Sequence, residues 1–229
     1  TPTGQPALGD VLLMVGTVKG AFIFSSTAER SEWTMNGPHF PGESVYALAY
    51  DERGGRRRTL AATRSFHWGS TIRTSDDYGA TWSGPERQNV RFPEASGLSL
   101  VQVWQIVPGP PEEPDLLWAG VEPAALFESR DAGESWAPVD GLLNHEHRPR
   151  WQPGGGGLCL HTILPDPSDG DRMLVAISTA GNYRTDDGGR SWQPRNVGVR
   201  AQFLPNQYPE FGQCVHKVVH HPSRPERLF

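Results

Sequence analysis

One eight-residue pattern, Ser/Thr-x-Asp-x-Gly-x-Ser/Thr-Trp, limits what this chain can fold into. It stands at 75–82 as SDDYGATW, at 129–136 as SRDAGESW and at 185–192 as TDDGGRSW. A worn copy, STAERSEW at 26–33, keeps Ser26 and Trp33 and has lost the Asp and the Gly. The four tryptophans are 49, 54 and 56 residues apart. A motif returning at that period marks a repeat architecture, one supersecondary unit per repeat. Each position has a physical reason. Asp77, Asp131 and Asp187 can accept bonds from backbone N–H groups a few residues on, and Ser75, Ser129 and Thr185 can do the same through their hydroxyls. Gly79, Gly133 and Gly189 permit a positive φ that a side chain resists. Trp82, Trp136 and Trp192 then fold back over the turn as large apolar plugs, each with an indole N–H to place. The pattern thus predicts a fixed turn between two strands, repeated along the chain.

The 229 residues could make one large or two small domains, but a repeat unit of about fifty residues must stack on its neighbours to bury a core. The expectation is one domain over 1–229. The 26 Gly and 21 Pro suit many short strands joined by turns. A formal charge of −5 argues against general nucleic-acid binding, which needs a basic surface. The one basic run, Arg56-Arg57-Arg58, follows Gly54-Gly55 and reads as a solvated hairpin turn. No apolar run reaches the roughly 18 residues of a membrane span. The first ten residues are polar, without the apolar segment of a signal peptide. Two Cys make no disulfide framework. A cytoplasmic bacterial protein fits, with an extracellular place left open.

Read in order, the repeats fall at about 11–36, 44–84, 101–138 and 158–194, with the start of a fifth at 214–229. Each full repeat carries three apolar strands, A to C, then the box, then a short strand D; the second D strand is expected to carry Trp82. Segments 116–121 and 173–177 are apolar on both faces, as strands covered on both sides are. Four-stranded antiparallel sheets repeated in this way make an all-β fold, the β-propeller. The first repeat starts at strand B. The fifth is expected to hold an A strand over 214–220, a turn over 221–226 and the beginning of strand B. The reading is a partial propeller of about four blades from a ring of six to eight. Its open edges await missing blades or another chain, since an unpaired strand edge invites association.

The boxes resemble the Asp-box, or BNR, repeats of sialidase-like, sortilin-like and photosystem-assembly propellers. The runs GVEPAALFESRDAGESW, WQPGGGGLCLHTIL and YPEFGQCVHKVVHHPSRPERLF are similar to bacterial propeller proteins labelled glycosyl hydrolase. Those relatives imply the fold over nearly the whole chain. A sialidase mechanism does not carry over with them, because the chain has no Arg-Ile-Pro.

Candidate chemistry lies on the long D-to-A loops at 83–100, 137–157 and 193–213, and on the B-to-C loops. Loops of this length in a compact fold are more often functional than idle. They carry His145, Glu146, His147, Trp151, Tyr208 and Glu210, joined by His67, Trp68 and Glu122 from the B-to-C loops. Aligning the A strands places Tyr46, Trp104, His161 and His216 at equivalent positions, the last two within Cys159-Leu160-His161 and Cys214-Val215-His216. Thiolate and imidazole are zinc ligands, so Cys159, His161, Cys214 and His216 are the metal candidates. The alternative makes His161 and His216 polar lining of the channel. No cofactor is otherwise implied.

Two functions follow. One is a binding or assembly propeller that takes a carbohydrate, a small molecule or a protein partner through His67, Trp68, Trp104, His145, His147, Trp151, His161, Tyr208 and His216. The other is a glycoside hydrolase using Glu122, Glu146 and Glu210. Hydrolysis would need two of these carboxyls about 5–9.5 Å apart.

Overall fold

The repeated turn is built the same way three times. In a computed structural model describing residues 5–87 and 89–229, the Ser129 hydroxyl accepts the Gly133 N–H at 2.8 Å and donates to Asp131 Oδ1 at 2.7 Å. Asp131 in turn accepts the Ser135 N–H at 2.9 Å and the Ser135 hydroxyl at 2.5 Å. Ser75, Asp77, Gly79 and Thr81 repeat these bonds, as do Thr185, Asp187, Gly189 and Ser191. The glycines are left-handed, with φ of 87, 95 and 90°. The preceding residue is left-handed too, at Tyr78, Ala132 and Gly188. Trp136 and Trp192 each donate the indole N–H to the carbonyl of the turn glycine, at 3.2 and 3.0 Å. Trp82 instead reaches His39 Nδ1 at 3.4 Å and lies edge-on to Phe40.

Two compact units contain the strands, Thr1–Val90 and Arg91–Phe229. The first holds two three-stranded antiparallel sheets, β1 (Val11–Thr17), β2 (Gly20–Ser26) and β3 (Thr34–His39), then β4 (Ser44–Asp51), β5 (Arg58–Ser65) and β6 (Gly69–Ser75). The second holds two four-stranded sheets and a hairpin. Its first sheet is β7 (Gln102–Pro108), β8 (Leu117–Glu122), β9 (Ala125–Ser129) and β10 (Ala137–Pro138), followed by the single helical turn α1 (Asp140–Leu143). The next is β11 (Leu160–Asp166), β12 (Asp169–Ile177), β13 (Gly181–Thr185) and β14 (Gln193–Pro194). The hairpin is β15 (His220–His221) and β16 (Arg224–Leu228).

Two expected strands are absent. Trp82 lies outside any strand. Ser83 N–H bonds the Thr74 carbonyl at 2.9 Å, but the Ser83 hydroxyl takes the Thr74 N–H at 2.9 Å, so a side chain replaces the second ladder bond. Pro85, which has no N–H to donate, prevents the pairing from resuming. The other correction falls on 214–219, which forms no strand. Thr162 takes its backbone groups instead: the Thr162 hydroxyl donates to the His216 carbonyl at 3.2 Å and accepts the Val218 N–H at 3.3 Å. Backbone pairing starts at Val219, which exchanges both main-chain bonds with Phe229 at 3.0 and 2.9 Å, the strand itself begins at His220, and the turn closes earlier than expected, before Arg224. Within the first unit β1 pairs with β2, and within the second β16 pairs with β15.

In the second unit the core lies between its two four-stranded sheets. Trp118, Leu126, Leu160, Ile163, Val175, Tyr183 and Trp192 form it, closed by Leu142 of α1 and by Trp151. Burying each such side chain contributes roughly 1.5–3 kcal/mol, before conformational entropy is subtracted. β8 is buried on both faces, as its unbroken apolar run foretold. Gly120 makes the close approach possible, because a Cβ there would lie 2.5 Å from the Leu160 carbonyl oxygen. The inner strands are also joined by a side chain, the Ile163 N–H donating to Gln105 Oε1 at 2.7 Å.

Candidate functional site

Each inner strand breaks register at one residue. In β7 the pairing steps from Val103 to Gln105 and leaves out Trp104. In β11 it steps from Leu160 to Thr162 and leaves out His161. In β4 it passes over Tyr46 in the same way. A β-bulge of this kind re-aims the extra side chain and is over-represented beside functional sites. In the second unit the consequence is a stack of rings. Trp104 and His161 meet edge to face with centroids 4.8 Å apart, and His161 and His216 follow at 4.7 Å. Trp104 and His161 are half-buried, while His216 is exposed. The 214–219 segment is held there by its bonds to Thr162, the residue after His161.

Glu122, the last residue of β8, closes one end of this ladder. Its Oε2 accepts the Trp104 indole N–H at 3.3 Å. Its other oxygen rests over Gly157, where an added Cβ would lie 2.3 Å away. Beneath it is Cys159, whose N–H goes to the Ser178 hydroxyl at 3.0 Å and whose thiol reaches the Gly156 carbonyl at 3.4 Å. Burial, and then the charge and hydrogen bond of Glu122, push the Cys159 thiol up to about 12. Burial also lowers His161, helped by His216 and opposed by Glu122. At neutral pH both groups are therefore uncharged. At the other end of the ladder, Cys214 Sγ lies 3.2 Å from His216 Nε2.

A second aromatic cluster holds loop 137–157 on β13. The Tyr183 hydroxyl accepts the Trp151 indole N–H at 2.9 Å and lies 3.1 Å from His147 Nδ1. The His147 N–H donates to His145 Nδ1 at 3.0 Å, His145 Nε2 donates to the Trp192 carbonyl at 3.1 Å, and His147 stacks on Phe211 at 4.3 Å. His147, Trp151 and Tyr183 are buried. Burial holds His147 below the ordinary imidazole range, with His145 lowering it further and Glu210 opposing. These rings fill space and satisfy one another, the work of a packed plug.

The predicted residues thus separate. Glu122, Trp104, Cys159, His161, Cys214 and His216 come together. His145, His147 and Trp151 form the plug, with Glu146 and Glu210 exposed in electrostatic reach of His147. Tyr208 is exposed on loop 193–213. His67 and Trp68 meet edge to face at 4.7 Å on an exposed turn of the first unit. Among the described residues no three His, Cys, Asp or Glu side chains gather to hold a metal. No described helix is long and apolar enough to cross a membrane. A cavity of about 600 Å³ opens elsewhere, lined by Leu164, Leu174, Val199, Val218 and Leu228, and none of the candidate residues lines it. Sequence reasoning gave Gly157 no role of its own and missed the bulges. The glycine run at 154–157 was the available signal for the first; nothing in the residue pattern announces the second.

No family model matches the chain. Over 84 residues, 36% of the chain and 9% of the relative, it is 29% identical to an oligoxyloglucan-reducing end-specific xyloglucanase of Emericella nidulans. Among solved structures it is similar to a GH74 enzyme of Niastella koreensis, with a TM-score of 0.54 and 16% identity over 97% of the chain and 31% of that protein. It is also similar to YCF48 of Cyanidioschyzon merolae, with a TM-score of 0.54 and 13% identity over 96% of the chain and 64% of that protein. The chain therefore spans a small part of the curated relative and less than a third of the GH74 enzyme. The structural likenesses show the fold, antiparallel sheets of the β-propeller kind.

Proposed function

We propose that the chain is a stretch of an Asp-box β-propeller that binds a carbohydrate where Trp104, Glu122, His161 and His216 meet. The observation that carries this reading is the pair of bulges that turn Trp104 and His161 out of their ladders and into one stack of rings beside a carboxylate. A bulge weakens strand pairing, so its return at the same point of successive inner strands calls for a reason other than stability. Rings offer a flat apolar face to a sugar, and a carboxylate with imidazoles supplies acceptors and donors for hydroxyls. The repeated turn supplies the scaffold and none of the chemistry. Titrating the chain with oligosaccharides while following tryptophan fluorescence tests the reading. Binding should weaken at least about tenfold in Trp104→Ala. Equal affinity in that variant would remove the ladder from consideration.

A glycoside hydrolase is the second reading, favoured by the 84-residue likeness to a xyloglucanase. The ladder holds one carboxylate, Glu122, whereas Glu146 and Glu210 stand near His147. Under this reading the second carboxyl comes from another part of a longer protein. Release of sugar from xyloglucan oligosaccharides by the intact protein, abolished in Glu122→Gln, would establish it.

A further inference from the structure

We propose that the sugar taken at the ring ladder bears a free, protonated amino group. The inference rests on the carbohydrate reading above and adds the charge of the ligand to it.

From β8 the group facing the ladder is Glu122; from β11 and the residues before it they are Cys159 and His161; from 214–219 they are Cys214 and His216. Loop 154–157 is all glycine and brings no charge. Lys217 lines the separate cavity with Leu164 and Arg172. Arg148 is turned to the Ala124 carbonyl and the Trp151 ring. Burial keeps the Cys159 thiol and the His161 imidazole uncharged at neutral pH. Glu122 is then the one carboxylate at the ladder, and among the described residues it takes part in no ion pair.

A half-buried carboxylate is costly to keep charged unless something answers it. Here it has a neutral indole N–H and a thiol beside it, both weaker partners than a cation. An ammonium group on the ligand would complete the set. Trp104 favours the same ligand, since an indole face attracts a cation within about 6 Å. A neutral sugar would use the ring stack and leave the carboxylate without its counter-charge.

The experiment titrates the 229-residue chain with three probes at a pH where the amine is protonated. These are a glucosamine tetramer, its fully N-acetylated counterpart and a glucose tetramer. The glucosamine tetramer should bind about tenfold or more tightly than either neutral sugar. Glu122→Gln should erase that preference while the melting curve stays that of a folded chain. Glu112→Gln, which removes the same charge from an exposed turn, should leave the preference intact. Equal binding of all three sugars would overturn the amino-group inference and leave the carbohydrate site standing. Binding of none would overturn the site as well. A preference that survives Glu122→Gln would assign it to the overall negative charge and refute the proposal.

Discussion

Replacing Gly157 by Ala should damage the ladder without touching any ligand. Gly157 has φ +95°, a region an L side chain resists by roughly 1–2 kcal/mol. Its new Cβ would lie 2.3 Å from Glu122 Oε1, against the ~3.4 Å of ordinary contact, so the carboxylate must retreat by about 1 Å. That oxygen is the end of a flexible side chain, so the overlap itself relaxes cheaply. A retreat away from the indole breaks the hydrogen bond. Glu122 and the Trp104 indole are already 3.3 Å apart, and another ångström exceeds any hydrogen bond. The expected result is therefore split. Stability falls only by the backbone strain, about 1–2 kcal/mol, or roughly 3–8 °C in melting midpoint for a unit of this size. Ligand affinity falls by about tenfold or more, and tryptophan emission changes as Trp104 loses its acceptor. Gly155→Ala is the control. It lies in the same loop, meets nothing within 4 Å and has no positive φ, so it should be silent in both assays. If Gly157→Ala melts and binds like Gly155→Ala, the placement of Glu122 over this glycine is wrong.

Within the second repeated turn, Ser129→Ala should cost about 2–3 kcal/mol in a thermal melt, because it leaves the buried Gly133 N–H without its 2.8 Å acceptor; the exposed Ser135→Ala should cost less than half as much. Ala132→Gly should raise stability by up to about 1 kcal/mol, since Ala132 sits at φ 59° where the third copy already has Gly188. Stability should fall on acidification in two stages. His161 and His147 have depressed folded-state values, so what their neutral forms contribute is complete above the unfolded imidazole value of about 6.5 and declines as the pH drops below it. Asp187, held at about 2 by bonds from Ser191 and Thr185, contributes above the unfolded carboxylate value near 3.9 and loses that contribution as the pH falls toward 2; Asp187→Asn should remove its share of the lower stage in melts across that range and leave the shares of Asp77, Asp131 and Asp166, which are also held low.

The turns were legible because each depends on contacts within eight residues. A Ser hydroxyl, an Asp carboxylate and a glycine at fixed spacing determine their own hydrogen bonds, and those bonds formed in all three full copies. The strands flanking them were legible from apolar runs, and β8 was buried on both faces as its sequence implied. The failures came where a side chain competed with the backbone. The Ser83 hydroxyl took the N–H that a fourth strand needed, and the Thr162 hydroxyl took the groups of 214–219. A lone Ser or Thr gives no sign of such a choice in the sequence. The plug of His145, His147 and Trp151 was harder still. Its residues look like ligand groups on a loop, and partners more than thirty residues away in the chain, the Tyr183 hydroxyl and the Trp192 carbonyl, turn them inward.

The ladder was reached by a different route, from the equivalence of repeats. Once the A strands are aligned, Tyr46, Trp104, His161 and His216 occupy one position, and chemistry at that position varies while the turns do not. A scaffold that repeats its turns and varies its inner-strand residue keeps stability on one set of residues and leaves another free to vary. The bulges add the physical reason. A residue paired in the ladder would point to one face of its sheet and pack against a neighbour, whereas one left out of the ladder is free to be aimed elsewhere. Trp104 and His161 are aimed at each other, and Trp104 at Glu122. Shortening β7 by the one residue that makes its bulge, so that Val103 and Gln105 become consecutive, should therefore leave the core strand able to pair and remove the ring that the site is built on.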